Sequence, residues 1–218
     1  FEMVPEAICV DQYGFAIRKG DPLAAKASSV VRKLKNDGTL KEMQERWFDA
    51  GEEEKSLPKL SYRTDFDGSG GVLRFHHDNV NIPMSYVGKD NISLGYDVEL
   101  AARIAYELNM VFQPTPCGFG SLLETLMAGK ADMVGGAMSI TPERQRNVDF
   151  TDGYYTGGIF LLRRKENAAA GEISLAGKRV GVMTGSIGEL YIERKQPAAL
   201  LSSFDTFSDA VSALRGGK

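Results

Sequence analysis

Cysteine is scarce in this chain of 218 residues: Cys9 and Cys117 are the only two. They lie far apart, share no metal-ligand spacing and build no disulfide framework, which excludes a zinc module or a cystine-stapled scaffold. Two free, buried thiols are expected in preference to a bridge. The two histidines are adjacent, His76 and His77, followed by Asp78. This is the only cluster that hints at acid–base or metal chemistry. Neighbours on a strand point to opposite faces, so the two rings cannot line one site. No Cys/His or Ser/His pairing for nucleophilic catalysis stands out, and no cofactor motif is present. The lysine and hydroxyl of a phosphate-binding P-loop are missing. An excess of one charge is lacking too. The net charge of −3 is too mild to argue for nucleic acid or a membrane surface as partner. No run approaches the ~20 apolar residues of a membrane span. The start, FEMVPEAICV, shows neither the basic region nor the apolar run of a signal peptide.

What remains is ordinary for a globular chain: 43% hydrophobic and 25% charged residues, enough for a sizeable core. Tyr13 to Ile17 reads as a short strand. Asp21-Pro22 then starts a helix, LAAKASSVVRKLKN, that stops at Asp37-Gly38. Thr39 is expected to cap a second helix holding Leu40, Met43 and Trp47 at helical spacing. The acidic, Pro-containing stretch at 51–58 reads as a linker. Beyond it the pattern is α/β. Strands are expected near Val72–Phe75, Met110–Phe112, Ala131–Val134 and Thr156–Leu162. The residues 76–93 read as a polar loop. The helix YDVELAARIAYELN has an apolar stripe of Val98, Ala101, Ala105 and Leu108, with Glu99, Arg103 and Glu107 on its outer face. Phe119 to Met127 is a further helix. From Ser174 the pattern restarts, with a strand at Arg179–Met183, a helix near Glu189–Arg194, a strand at Leu200–Phe204 and a helix from Thr206. Alternation of this kind predicts a mostly parallel sheet flanked by helices.

An internal repeat supports the restart. FGSLLETLMAGK, 119–130, aligns without gaps to FSDAVSALRGGK, 207–218. The first copy runs directly into the strand ADMVGG, so a strand is expected to follow the second.

The stretch GGAMSITPERQR, 135–146, carries the most chemistry. Thr141 and Pro142 read as the cap and first position of a helix. Its N-terminus, with Gly135, Gly136 and Ala137 allowing close backbone approach, would attract an anion. Ser139 adds a hydroxyl, and the planar fork of Arg144 suits a carboxylate. MTGSIGE, 183–189, repeats the strand, Gly-Ser turn and helix start as a second, weaker nest.

These segments resemble bacterial extracellular solute-binding proteins of family 3, the polar amino-acid-binding proteins of ABC importers. The likeness rests on DMVGGAMSITPERQRNVDFTDGYYTGG, on LRFHHDNVNIPMSY with LGYDVELAARIAYEL, and on SLAGKRVGVMTGS. DQYGFAIRKGDP through DGTLKEMQERWF resembles the family's C-terminal end, so the segments stand out of family order. The resemblance implies a type II periplasmic-binding-protein fold of two lobes. Residues 1–50 would be the tail of a preceding module, 59–165 the first lobe of the next, and 166–218 the hinge and incomplete start of a second lobe. The tail packs on 60–165 if Trp47 is buried. The hinge is expected near Tyr13–Ile17 and Phe160–Leu162. The resemblance also implies function: non-enzymatic capture of a polar amino acid, glutamine- or glutamate-like, for an ABC transporter permease outside the cell or in the periplasm. The ligand carboxylate would meet Arg144, Ser139 and an N–H near Ser186-Ile187, and the ammonium the Gly136 carbonyl and Ser139. Asp78, Phe119 and Ala137 would complete the cleft, and binding by this stretch alone is expected to be weak. Asn81 and Met84 stand where the family usually has aromatics, so the ligand's side chain stays open. Two other readings remain: a sensing module of a receptor kinase or cyclase, and a dehydratase on this fold.

Overall fold

Asp21 begins the first helix as its chemistry suggests. Its carboxylate accepts from the Leu23 N–H at 3.0 Å, with Pro22 already in helical conformation. The structure is a computed structural model and describes residues 1–49, 55–61, 64–165 and 174–218. In chain order its elements begin with β1 (Glu2–Met3), β2 (Cys9–Tyr13), β3 (Ala16–Arg18), α1 (Leu23–Asn36) and α2 (Thr39–Gln44), which runs on as a wide turn to Asp49. Next come β4 (Val72–Asp78), β5 (Val80–Asn81), β6 (Ser85–Val87), β7 (Ser93–Leu94), α3 (Tyr96–Glu107), β8 (Val111–Cys117), α4 (Leu122–Met127), β9 (Met133–Gly135) and β10 (Val148–Phe150). The series closes with β11 (Tyr155–Ile159), β12 (Leu162–Arg163), β13 (Arg179–Met183), α5 (Ile187–Lys195), β14 (Leu200–Phe204) and α6 (Phe207–Arg215).

The chain forms two units, Gln12–Thr156 and Phe1–Asp11 with Gly157–Lys218. The division therefore falls at 156/157 rather than at 165/166. The backbone passes from one unit to the other within β2 and within β11.

The larger unit is built on a five-stranded mixed sheet in the order β10-β3-β9-β4-β8. β4 pairs in parallel with β8 and β9, whereas β3 and β10 join antiparallel. β4 alternates as a half-buried strand should: Leu73, Phe75 and His77 point into the core, and Arg74 and His76 point away. The stretch 76–93, expected as a loop, instead continues β4 to Asp78 and adds the small antiparallel sheet β5-β6-β7.

Residues ahead of 50 complete this core. Phe15 packs edge-on against Phe75 at 5.2 Å, and Phe48 stacks on Tyr155 at 5.1 Å. Trp47 is 1% exposed, and its indole N–H donates to Glu99 at 2.8 Å. Glu99 is consequently not on an outer face. It is 1% exposed and also receives Arg46 at 2.6 Å and Arg103 at 2.9 Å. The helix pattern is amphipathic as read, but the turn after α2 covers its charged side.

Smaller expectations also change. Thr39 does not cap α2; it is the first helical residue, and the Asp37 carboxylate accepts its N–H at 3.0 Å. The presumed linker lies outside the described residues at 51–54, but Lys55 donates to the Trp47 carbonyl and Leu57 packs on the core. Both cysteines are free but only half-buried, because each sits on a strand near its unit's surface.

The smaller unit pairs β1 with β12 antiparallel and β13 with β14 in parallel. The repeat holds to the level of single hydrogen bonds. At the end of α4, Gly129 N–H donates to Leu126 O and Lys130 N–H to Thr125 O; at the end of α6, Gly217 N–H donates to Leu214 O and Lys218 N–H to Ala213 O. Both are Schellman stops with glycine at positive φ, +70° and +74°.

Candidate ligand site

β9 ends at Gly135, and the chain then turns through two residues of positive φ, Gly136 at +148° and Ala137 at +55°. The turn is held from beneath. Asp97, in the first turn of α3 and fully buried, accepts the Ala137 N–H at 2.8 Å. Asp78 lies against Gly136 so closely that a β-carbon there would sit 2.7 Å from the Asp78 Cβ. Asn81 donates to the Gly136 carbonyl at 3.4 Å. The next residues run beside the β2–β3 junction: Gly14 N–H donates to Met138 O at 3.0 Å, Ile140 N–H to Gln12 O at 2.8 Å, and Ser139 bridges Tyr13.

Thr141 caps as expected, accepting the Arg144 N–H at 3.2 Å. The helix it was expected to start is a single turn, Arg144–Arg146, before β10 begins. Three residues carry no macrodipole of consequence, so the helix-terminus argument for an anion falls away. The nest is also partly used, since Ala137 N–H and Ile140 N–H are engaged internally. Arg144 takes over as the principal feature. It is buried, donates through Nη1 to the Ser139 carbonyl at 2.7 Å, and its guanidinium lies 5.8 Å from the ring centroid of Phe119. Phe119, itself buried, opens the turn after β8.

Of the residues singled out in the sequence, Asp78, Phe119, Gly136, Ala137, Ser139 and Arg144 thus gather in the larger unit. Ser186 and Ile187 belong to the smaller one. Ser186 N–H donates to Met183 O at 3.1 Å, and its hydroxyl accepts the Glu189 N–H at 3.2 Å as the cap of α5. Glu189 reaches back to accept the Gly185 N–H at 2.7 Å, one residue ahead of the cap. Ile187 is the first residue of α5. His77 is fully buried, with Nε2 2.8 Å from the Ser93 hydroxyl, while His76 sits on the opposite strand face.

Asp97 was missed in the sequence. Its only signal was an acid in the first turn beside the apolar stripe, which reads equally as a helix-start preference. Burial raises its pKa to about 7, held down in part by the Ala137 N–H, and burial raises Asp78 to about 6. An unfolded aspartate titrates near ~3.9. From there upward the unfolded chain has lost protons that the folded chain still holds. These two groups therefore favour folding most below pH ~4, and that contribution is lost as pH rises to about 7. Urea midpoints should fall between pH 5 and pH 7, and Asp97→Asn should flatten the fall. An unchanged slope in that variant would refute the assignment.

Residues 73–213 match the bacterial extracellular solute-binding proteins, family 3. The chain belongs to that family. It is 30% identical over 136 residues to ABC transporter arginine-binding protein 1 of Escherichia coli, covering 62% of this chain and 56% of that protein. It is 38% identical over 107 residues to the arginine-binding extracellular protein ArtP of Bacillus subtilis, covering 49% and 42%. The chain thus spans about half the length of these curated relatives. Among solved structures, an ancestral arginine-binding protein bound to arginine matches with a TM-score of 0.59 at 29% identity, covering 69% of this chain and 68% of that one. The ancestral amino acid-binding protein AncCDT-1, a precursor of cyclohexadienyl dehydratase, matches with a TM-score of 0.62 at 31% identity, covering 68% and 67%. The family member described here has the type II periplasmic-binding-protein architecture, an α/β fold with a mixed sheet between helices. No helix among the described residues is long and apolar enough to cross a membrane.

Proposed function

We propose that this family member binds a polar amino acid through the corner formed by Phe119, Ser139 and Arg144, and that the protein presents its cargo to the permease of an ABC importer at the extracellular face of the membrane. One observation carries the site: a buried guanidinium oriented by a backbone carbonyl and an aromatic ring. A planar fork held in that way is prepared for an α-carboxylate, and burial strengthens the pairing. Asp78, Gly136 and Ala137 shape the backbone next to it. The reading is supported by family relatives named for arginine, histidine, glutamine and cystine. It is a binding role without catalysis, and the split of His76 from His77 across two strand faces agrees with it. The segment order is read as a permuted assembly, in which residues resembling the family's C-terminal end pack within the same unit as those resembling its start.

The test is an NMR titration of the 218-residue chain with L-arginine and with L-glutamine. Saturable shifts are expected at Phe119, Ser139 and Arg144. Arg144→Lys, which keeps the charge but loses the fork, should weaken binding by about tenfold, the effect of roughly 1.4 kcal/mol. Arg144→Ala should abolish it with the thermal transition retained. Equal affinity in Arg144→Ala would remove this corner from the ligand site.

A further inference from the structure

The peptide group between Gly136 and Ala137 has two polar ends, and Asp97 holds one of them. The Ala137 N–H donates to Asp97 Oδ2 at 2.8 Å, with the Gly136 N–H beside it. The peptide is trans, so its carbonyl points the opposite way, and the Gly136 oxygen is directed away from Asp97. Two successive residues of positive φ keep the group in this orientation. Asn81 reaches the carbonyl only at 3.4 Å, long for a hydrogen bond, which leaves the oxygen a ready acceptor. Three residues on, the Ser139 carbonyl orients Arg144.

Asp97 itself is shut off from water. Its Oδ1 makes no hydrogen bond, and neither do the buried hydroxyls of Ser85, Tyr96 and Tyr154. An ionised carboxylate with an unpaired oxygen in such surroundings is costly, and a proton on Oδ1 relieves the cost without needing a cavity. The neighbouring groups bring no positive charge to do so instead. Asp78 faces Asp97 from the end of β4, Tyr154 from just ahead of β11, and Tyr96 from its own helix. β6 and β7 supply Ser85 and Ser93, and His77 turns its ring nitrogens to Ser93 and the Asp78 carbonyl. Glu99 is already taken by Arg46 and Arg103. Burial accordingly raises Asp97 to about 7.

An amino acid seated by its carboxylate on Arg144 carries an ammonium group one carbon away. We propose that Asp97 is a positioning residue that gives up its own proton in exchange for that ammonium. The ammonium settles on the Gly136 carbonyl, the Asp97 Oδ1–H bond breaks and its proton passes to solvent. The ionised carboxylate then holds the far end of the same peptide. Its charge polarises the group and makes the Gly136 oxygen a stronger acceptor, while the ammonium in turn favours the ionised carboxylate. Ligand and proton therefore compete, and capture weakens as the medium turns acid. Folding runs the other way, since the protonated form is the one that burial favours. The inference rests on reading the Phe119–Ser139–Arg144 corner as an amino-acid site.

The test follows the Asp97 carboxyl carbon by NMR in the 218-residue chain, with and without saturating L-glutamine, whose own charges stay constant over the range used. Its titration midpoint, about 7 in the free chain, should fall by about one pH unit in the loaded one, the lower end of the effect of a nearby opposite charge. By linkage, affinity at pH 5 should be about five- to tenfold weaker than at pH 7.5. In Asp97→Asn the two affinities should agree within about twofold, because the amide accepts the Ala137 N–H but has no proton to exchange. Saturable shifts at Phe119, Ser139 and Arg144 with an unmoved Asp97 midpoint would overturn the exchange and leave the corner standing. The absence of saturable shifts would overturn the corner and the exchange together. A pH dependence that persists in Asp97→Asn and disappears in Asp78→Asn would move the role to Asp78 and overturn it for Asp97. If Asp97→Asn does not fold, the carboxyl titration of the unaltered chain decides by itself.

Discussion

Replacing Glu99 by alanine should destabilise the larger unit by about 3–5 kcal/mol, the range for breaking a buried ion pair by removing one partner. Glu99 is shielded from water and accepts from three donors, Arg46, Arg103 and the Trp47 indole. Arg46 is 40% exposed and regains hydration when the carboxylate goes, which places it outside the cost. Arg103 and the Trp47 N–H do not recover so readily. The loss extends beyond electrostatics, because Glu99 fastens the segment that brings Trp47 to the core. A fully buried aromatic of that size removes about 150–250 Å² from water, worth roughly 4–6 kcal/mol at 25 cal/mol/Å² as an upper figure. Thermal denaturation should show the melting of the larger unit lowered by roughly 10 °C. Glu45→Ala breaks the exposed pair with Lys41 and should stay within about 0.5 kcal/mol. A double-mutant cycle of Trp47→Phe with Glu99→Gln should show a coupling of about 0.5–3 kcal/mol. Glu99→Ala behaving like Glu45→Ala would mean that the segment is held by packing alone.

The second large effect is expected from Gly136→Ala, at about 2–6 kcal/mol. Two terms combine. A φ of +148° is a backbone state that costs a side-chain-bearing residue about 1–3 kcal/mol. A new β-carbon 2.7 Å from Asp78 Cβ and 3.1 Å from Asp78 N forces the β4 end outward, an overpacking cost of about 1–3 kcal/mol. Gly129→Ala is the control: its φ is +70°, but nothing lies within 4 Å, so about 1 kcal/mol is expected. Chemical denaturation of the two variants separates collision from backbone strain. Matching losses would show that Asp78 yields, and would remove the steric reason for glycine beside the ligand corner.

What could be read in the sequence was what a local pattern determines. α1 spans the residues that Asp21-Pro22 and Asp37-Gly38 delimit, because start and stop chemistry act within one turn. The repeat was legible because its two stops obey the same rule. Arg144 and Phe119, both marked in the sequence, lie together in the larger unit, but the helix expected from Thr141-Pro142 does not form: a cap does not determine how long a helix runs, and β10 claims the chain after one turn. Glu99 was misplaced because periodicity describes a helix's own faces, whereas the cover arrives from a segment some fifty residues earlier in the chain. Asp97 and the bond that holds Gly185 were invisible for the same cause. Their partners, Ala137 and Glu189, are chosen by how the turn folds rather than by which residues stand in it.

The placement of β1 has a consequence for how the chain is made. Glu2 is bonded to Arg163 across 161 residues of sequence. At roughly 5–20 residues per second on a ribosome, β1 waits about 8–30 s for its partner. Everything needed for the larger unit emerges within that interval, since Gln12–Thr156 is one continuous stretch. The larger unit is thus translated in full before β12 supplies the strand that β1 pairs with in the folded chain.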